Sequence, residues 1–165
     1  MYLRVDNARR LSANELDSWA GLLRVHGTIT RQLDGDLVER HGISLSDYDV
    51  LVFLANSPNR RMRMSELADS VLISQSGVTR LVDRLVRRGL VEREPCPDDR
   101  RGAFAVLTDA GYAKLVEAAG THVADVRARF LQHLTDEEQY VLARLWERIL
   151  PGTSETFSRL KPHPG

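Results

Sequence analysis

The sequence predicts a mainly α protein with a small β wing. Three observations support this prediction. Apolar residues recur at steps of three and four over long stretches, Ser or Thr three positions before Glu marks helix starts, and one short region alternates with period two. With 165 residues, of which 42% are hydrophobic and 28% charged, the chain can form one domain-sized core.

The composition excludes several classes of protein. The longest apolar run, residues 50–55, is far shorter than the roughly 20 residues of a membrane-spanning helix. The stretch 1–11 carries three arginines and lacks the apolar segment of a secretory signal. We therefore expect a cytoplasmic protein without a membrane partner. Cys96 is the single cysteine, which excludes an internal disulfide and a zinc site built from several thiolates.

A long first helix is predicted from Ser12 to about residue 40. Ser12 and Glu15 have the spacing of a capping box, and Gly42 after His41 is a typical stop signal. Its apolar seam consists of Leu16, Trp19, Leu23, His26, Thr30, Leu33 and Leu37. At 1.5 Å per residue the helix would be roughly 45 Å long, more than a small domain covers, so we expect part of it to pack on another subunit.

Shorter helices follow. A helix is predicted to begin after Ser44 and to end at the break over residues 56–59. Its expected buried residues are Tyr48, Val50, Leu51, Phe53 and Leu54. Residues 64–69 predict a short helix, and Ser74 caps another that ends at Gly89. The expected buried stripe of that helix is Val78, Leu81, Val82, Leu85 and Val86.

A hairpin with a long charged tip is predicted next. Residues 90–94 alternate with period two, Pro95 ends the strand, and residues 103–107 return. The tip between them, residues 96–102, contains only turn formers and charges.

Two helices complete the pattern. The first runs from Thr108 to about His133, and the second begins near Thr135, where acidic residues fill its first turn. One loose turn is expected within residues 153–160.

Positive charge concentrates in the middle of the chain, although 23 basic residues balance 23 acidic ones overall. Residues 60–101 hold ten arginines against seven acids. Four of these arginines are predicted on the outer face of one helix: Arg80, Arg84, Arg87 and Arg88. A single such arginine is ordinarily part of a solvated surface. Combined with a preceding short helix, a tight turn and a cationic hairpin, they predict a winged helix-turn-helix that binds double-stranded DNA.

The same segment resembles the MarR family of bacterial transcription regulators. The stretches that carry the resemblance are MSELA at 64–68, SQSGVTRLVDRL at 74–85, RGLV at 88–91, DRR at 99–101 and LTDAG at 107–111. The resemblance implies a homodimer in which the first helix (residues 1–45) and the last two (108–165) intertwine. Residues 46–107 then form the DNA-binding lobe. A twofold dimer requires a pseudo-palindromic operator with half-sites roughly 34–36 Å apart.

The resemblance also implies the residues that contact DNA. Those of the recognition helix, for the major groove, are Ser74, Gln75, Ser76, Thr79 and Arg80. Ser65 corresponds to the cap of a helix whose N-terminus meets a phosphate. In the wing, Arg101 enters the minor groove, Asp99 orients it, and Arg100 is the neighbouring candidate. By its helical spacing Arg84 can also reach bases or phosphates.

A small aromatic or phenolic anion is the effector that the resemblance implies. Trp19, His26 and Tyr48 are the candidate ligand-binding residues, because aromatic rings and an imidazole could hold such an anion. The alternative for all three is ordinary packing. Cys96 is predicted to be exposed in the wing and incidental rather than a redox sensor. We expect no cofactor, and the histidine spacing predicts no metal site.

Two other classes of function remain to be compared. The sequence lacks a nucleophile elbow, a phosphate-binding loop and a dinucleotide-binding glycine pattern, which argues against an enzyme. A winged helix that binds only proteins stays open as the alternative. DNA binding through phosphates weakens steeply with salt, whereas an apolar protein interface does not. Repression is usual in the family, so the resemblance implies a repressor.

Overall fold

The computed structural model of the chain describes residues 10–71, 74–96 and 99–153, with the backbone alone at Gln75 and at 99–101. The predicted fold class is confirmed, since the described part is mainly helical with one small antiparallel sheet. The helices are α1 (Ala13–His41), α2 (Leu45–Ala55), α3 (Met64–Ser70), α4 (Gln75–Arg87), α5 (Asp109–Arg129) and α6 (Asp136–Ile149). The strands are β1 (Arg61–Arg63), β2 (Val91–Cys96) and β3 (Asp99–Leu107). None of the described helices has the length and apolarity to cross a membrane.

Local capping sets the helix boundaries where the sequence predicts them. The Ser12 hydroxyl accepts a hydrogen bond from the Glu15 N–H at 3.3 Å, and the Glu15 carboxylate accepts one from the Ser12 N–H at 2.7 Å. Thr135 and Glu138 form the same reciprocal pair at the start of α6. Gly42 ends α1 with a φ of +67°, a left-handed conformation that glycine adopts without steric cost.

The hydrophobic core lies where α2, α3, α4 and the sheet meet. Its largest fully buried side chains are Leu37, Ile43, Leu51, Leu54, Leu67, Leu85, Val50, Val78, Val82 and Val91. Two predicted core residues differ. Phe53 is only partly buried and Val86 is exposed. Both lie at the rim of the buried stripe of their helices, so periodicity assigned too wide a face to the core.

The sheet has the strand order β1-β3-β2, with both pairs antiparallel. Strand β1 was not predicted. Its three residues, Arg61 to Arg63, have no period-two apolar pattern and become a strand only by pairing with residues 104–106 of β3. A partner more than 40 positions away in sequence therefore creates this element.

The hairpin is longer than predicted. Strand β2 continues through Pro95 to Cys96, which pairs with Asp99, so the predicted tip over residues 96–102 is partly strand. Pro95 is tolerated because β2 is an edge strand. The expected exposure of Cys96 is wrong, since this side chain is buried. A register irregularity between Pro95 and Cys96 breaks the two-residue alternation, which lets Val91 and Cys96 both be buried.

Helix α5 ends earlier than its apolar pattern predicts. The helix stops at Arg129, and a 3-10 turn, Leu131–His133, leads to α6. Phe130, with φ −133° and ψ −65°, interrupts the helical conformation. The apolar spacing continues across this interruption, which is why the pattern did not reveal it. The turn predicted within 153–160 lies outside the described residues except for Thr153.

The apolar seam of α1 is covered only in its second half. Leu33 and Leu37 are buried, whereas Trp19 is 54% and Leu23 52% exposed. On α6, Tyr140 is 67% exposed. Extended exposed apolar surface of this kind marks an interaction site.

Candidate nucleic-acid interface

Helices α3 and α4 form the centre of the candidate interface. Leu67 of α3 and Val78 of α4 are buried in the same core, which holds the two helices together. Ser74 caps α4, because its hydroxyl accepts a hydrogen bond from the Gly77 N–H at 3.2 Å. The same hydroxyl lies 3.2 Å from the Ser76 hydroxyl. The first turn of α4 therefore presents short, exposed polar side chains to solvent.

The outward face of α4 is polar and cationic. Ser76, Thr79 and Arg80 are exposed, while Val78 and Val82 on the opposite face are buried. Among the described residues no hydrogen bond or ion pair involves Arg80, so its guanidinium is available to an external acceptor. Gln75 lies in the same first turn, and its side chain lies outside the described part.

Arg84 has a partner inside the chain. Its Nη2 and Nε lie 2.8 Å and 3.2 Å from Oδ1 of Asp47, a residue of α2 that is only 2% exposed. Arg88 approaches the other carboxylate oxygen at 3.8 Å. This ion pair competes with the DNA contact that the sequence predicts for Arg84. Sequence reasoning missed Asp47, although one signal was present: it lies four and seven positions before the buried Leu51 and Leu54, on the apolar stripe of α2.

Ser65 is not the cap of α3, which corrects the expectation from the sequence. The capping position belongs to Arg63, whose N–H donates to the Glu66 carboxylate at 3.3 Å. Strand β1 ends at Arg63 and α3 begins directly at Met64, which places Ser65 inside the first turn. Ser65 is exposed there, close to the helix N-terminus.

The wing is formed by the paired strands β2 and β3, and Arg93 of β2 contacts α4. Its guanidinium lies 2.9 Å from the Asp83 carboxylate and donates to the Thr79 carbonyl at 3.4 Å. Sequence reasoning did not single out these contacts. The backbones of Asp99, Arg100 and Arg101 lie in β3, and their side chains lie outside the described part of the chain.

The three candidate ligand residues lie in different surroundings within the chain. Trp19 and His26 are exposed on the first half of α1, whereas Tyr48 is buried against His122 of α5, with ring centroids 4.4 Å apart. Asp34 of α1 contacts the start of α2, because its carboxylate accepts a hydrogen bond from the Leu45 N–H. Trp19 precedes Asp34 by 15 positions, which is about 22 Å along the helix.

A cluster of polar side chains joins α1, α2 and α5 beside the lobe. His41 lies 3.2 Å from a Glu117 carboxylate oxygen and 2.8 Å from the Thr121 hydroxyl. Burial lowers the pKa of His122 and raises the pKa of Tyr48. Nδ1 of His122 is buried without a hydrogen-bond partner among the described residues. No group of three or more potential metal ligands occurs in the part of the chain that the structure describes.

Asp49 should make stability depend on pH. Burial raises the pKa of its carboxyl to about 6, so the folded state binds this proton more tightly than the unfolded state does. Its ionisation therefore destabilises the fold as pH rises from about 4 to above 6. We expect Asp49→Asn to raise the free energy of unfolding by about 1–3 kcal/mol at pH 7.5, with the gain disappearing near pH 4.

Urea unfolding at several pH values and one protein concentration measures this gain. Asp69→Asn is the control, because it removes the charge of an exposed acid on α3. A gain from Asp49→Asn that persists unchanged at pH 4 would contradict the raised pKa of this half-buried carboxyl.

Proteins of the MarR family resemble this chain in sequence and in structure. A sequence model of the MarR family matches residues 41–102. The structure resembles that of Sco3205, a MarR family transcriptional regulator from Streptomyces coelicolor solved in complex with DNA. The two chains are 38% identical, the match covers 90% of this chain and 92% of the other, and the TM-score is 0.83.

Two further proteins support the same relationship. AbsC, a MarR family transcriptional regulator from Streptomyces coelicolor, is 38% identical, with 86% of this chain and 95% of AbsC covered and a TM-score of 0.80. The HTH-type transcriptional repressor MdtR of Bacillus subtilis is 30% identical over 112 residues, which are 68% of this chain and 70% of MdtR.

Proposed function

Because the chain belongs to the MarR family of DNA-binding transcription regulators, we propose that it acts as a homodimeric repressor. Each subunit inserts α4 into one half-site of a pseudo-palindromic operator, and a small aromatic or phenolic anion releases the DNA. The proposal assigns no catalytic step and no cofactor to the chain.

The outward face of α4 is the observation that carries the proposal. It combines short polar side chains at the helix start with Arg80, whose guanidinium no described residue engages. Side chains of this size can approach base edges in a major groove, and a guanidinium suits guanine or phosphate. The similar Sco3205 structure contains DNA, which supports this use of the same fold.

The proposed contacts follow the sequence assignment with two changes, at Ser65 and at Arg84. In the recognition helix they are Ser74, Gln75, Ser76, Thr79 and Arg80. Ser65 lies in the first turn of α3, where free N–H groups favour a phosphate. Arg101, oriented by Asp99 and accompanied by Arg100, is proposed to enter the minor groove. Arg84 is left out of the proposed contacts, because its guanidinium is bonded to the Asp47 carboxylate.

Arg80→Ala tests the proposed base contact. We expect it to weaken binding to the operator by about 1–3 kcal/mol, roughly 5- to 150-fold, and to weaken binding to random DNA less. A bidentate contact to a base is lost only on the cognate sequence, whereas a phosphate contact is lost on both. The measurement is a fluorescence anisotropy titration with an operator fragment, found by footprinting the intergenic DNA beside the gene, and with random duplex.

Arg127→Ala is the matched control, since Arg127 is an exposed arginine on α5. Equal losses on operator and random DNA would make Arg80 a phosphate contact. Wild-type protein that binds neither duplex even at low salt, where phosphate contacts are strongest, would favour a protein-binding winged helix instead.

The unpacked apolar surfaces of α1 and α6 support the proposed homodimer. The half-exposed seam residues of α1 and the exposed Tyr140 of α6 lie on the elements that the family uses for dimerisation. A twofold axis would bring these surfaces of two copies together without a second kind of partner. The proposed division into dimerisation helices, 1–45 and 108–165, and a lobe, 46–107, follows from this arrangement.

A phenolic anion is proposed as the effector. Tyr48 is buried against His122, whereas Trp19 and His26 are exposed on α1, so the proposed site would combine these residues across the dimer. We expect at least one member of a phenolic acid panel to stabilise the protein by about 2.7 kcal/mol at 100 times its Kd. Thermal unfolding measures the shift, and Trp19→Ala and His26→Ala should reduce it. A panel without any shift would contradict the proposed effector class.

A further inference from the structure

From the contacts of the recognition helix we infer that Asp47 is a positioning residue for DNA binding: it keeps Arg84 and Arg88 bound inside the lobe, so that they do not act as phosphate contacts. The inference rests on the proposed function and refines it. Under this inference Asp47 determines which arginines of α4 are free to meet DNA.

Burial and geometry single out Asp47. It is the charged residue that the described part of the chain buries, with a side chain 3% exposed. Arg84 donates to Oδ1 twice, through Nη2 at 2.8 Å and Nε at 3.2 Å, and Arg88 lies 3.8 Å from Oδ2. A buried carboxylate needs compensation of this kind, because desolvation penalises its charge. Moving either guanidinium group away would leave the buried carboxylate less compensated, so both groups are held at Asp47.

The same carboxylate also organises the start of α2. Oδ2 of Asp47 accepts a hydrogen bond from the Ser44 N–H at 3.0 Å, and the Ser44 hydroxyl accepts one from Arg84 at 3.3 Å. The next N–H, that of Leu45, donates to the Asp34 carboxylate of α1 at 2.8 Å. A continuous chain of polar contacts thus runs from α1 through the cap of α2 to α4.

The arginines of α4 and of its C-terminal cap, Arg88, fall into two groups as a result. Arg80 and Arg87 are exposed, and no described residue forms an ion pair with either. Arg84 and Arg88 lie one turn apart and share Asp47. Their side chains are still 46% and 35% exposed, so loss of the carboxylate would leave two guanidinium groups able to turn outward. On DNA such groups bind phosphates of any sequence.

The test compares salt dependence on a random-sequence 30-base-pair duplex. We expect Asp47→Asn to steepen the log-log slope by about 0.9 for each arginine released, up to about 1.8, and to tighten binding to this duplex at low salt. Arg84→Gln alone should leave the slope as in the wild type, because Arg84 does not contact phosphate in the intact network. Asp69→Asn is the control, since it makes the same charge change at an exposed acid of α3 without a described ion pair.

A second variant keeps the test decisive if Asp47→Asn does not fold. Asp47→Asn combined with Arg84→Gln removes both members of the closest pair, leaves the net charge unchanged and releases Arg88 alone, so the slope should steepen by about 0.9. A slope equal to that of Asp69→Asn in every folded variant would overturn the inference, as would a flatter slope for Arg84→Gln. Wild-type protein that ignores the duplex even at low salt would instead refute the proposed function.

Discussion

Gly111→Ala is expected to lower the free energy of unfolding by about 3 kcal/mol, the upper end of the usual range for overpacking. A Cβ at this position of α5 would overlap the carbonyl oxygen of Leu90 and would lie 2.7 Å from the Leu107 Cδ1. The carbonyl cannot easily move, because it accepts the Thr108 N–H at 3.2 Å. Thr108 also caps α5, since its hydroxyl accepts from the Gly111 N–H at 2.9 Å.

Gly120→Ala, in the same helix, is the matched control. No atom lies within 4 Å of a Cβ added there, so alanine should raise the free energy of unfolding by roughly 0.5–1 kcal/mol through helix propensity. Urea unfolding of both variants at equal protein concentration measures the contrast. Equal stabilities for the two variants would mean that α5 does not pack this closely on the turn after α4.

Leu23→Asp is expected to convert the proposed dimer into monomers and to lower operator affinity by about 100-fold or more. Leu23 is 52% exposed in one protomer and lies on the α1 seam, where a second copy would cover it. Burying a carboxylate in an apolar interface is costly, and a monomer loses the gain from binding two linked half-sites. Sedimentation velocity measures the dimer, and a titration with operator DNA measures the affinity.

Asn14→Asp supplies the control for this change. Residue 14 lies nine positions before Leu23, half a turn away around the α1 axis, so it adds the same charge on the opposite face of the helix. This variant should remain dimeric and bind DNA as the wild type does. A dimeric Leu23→Asp protein would place the subunit interface elsewhere.

Short-range patterns predicted most helix starts correctly. Ser12 with Glu15 and Thr135 with Glu138 form reciprocal caps, because each involves a side chain and an N–H only three positions apart. Gly42 ends α1 for an equally local reason, its tolerance of positive φ. Interactions of this kind do not depend on the rest of the fold.

Long-range contacts account for most of the differences. Strand β1 exists because β3 pairs with it, and Cys96 is buried because the hairpin register shifts beside it. Ser65 is not a cap, because β1 extends to Arg63 and that residue takes the capping position directly before α3. No short window of sequence contains the partners that decide these features.

Some features of the candidate interface also depend on local sequence, whereas others depend on long-range contacts. The linear order of residues was sufficient to identify the polar outer face of α4, with Arg80 among its members, since helical spacing and residue type define a face. Which arginines of that face are free depended on Asp47, a residue 37 positions before Arg84 that reaches it only after α2 packs on α4. Local chemistry is encoded in neighbouring residues, whereas the pairing of buried charges arises only when distant segments share one core.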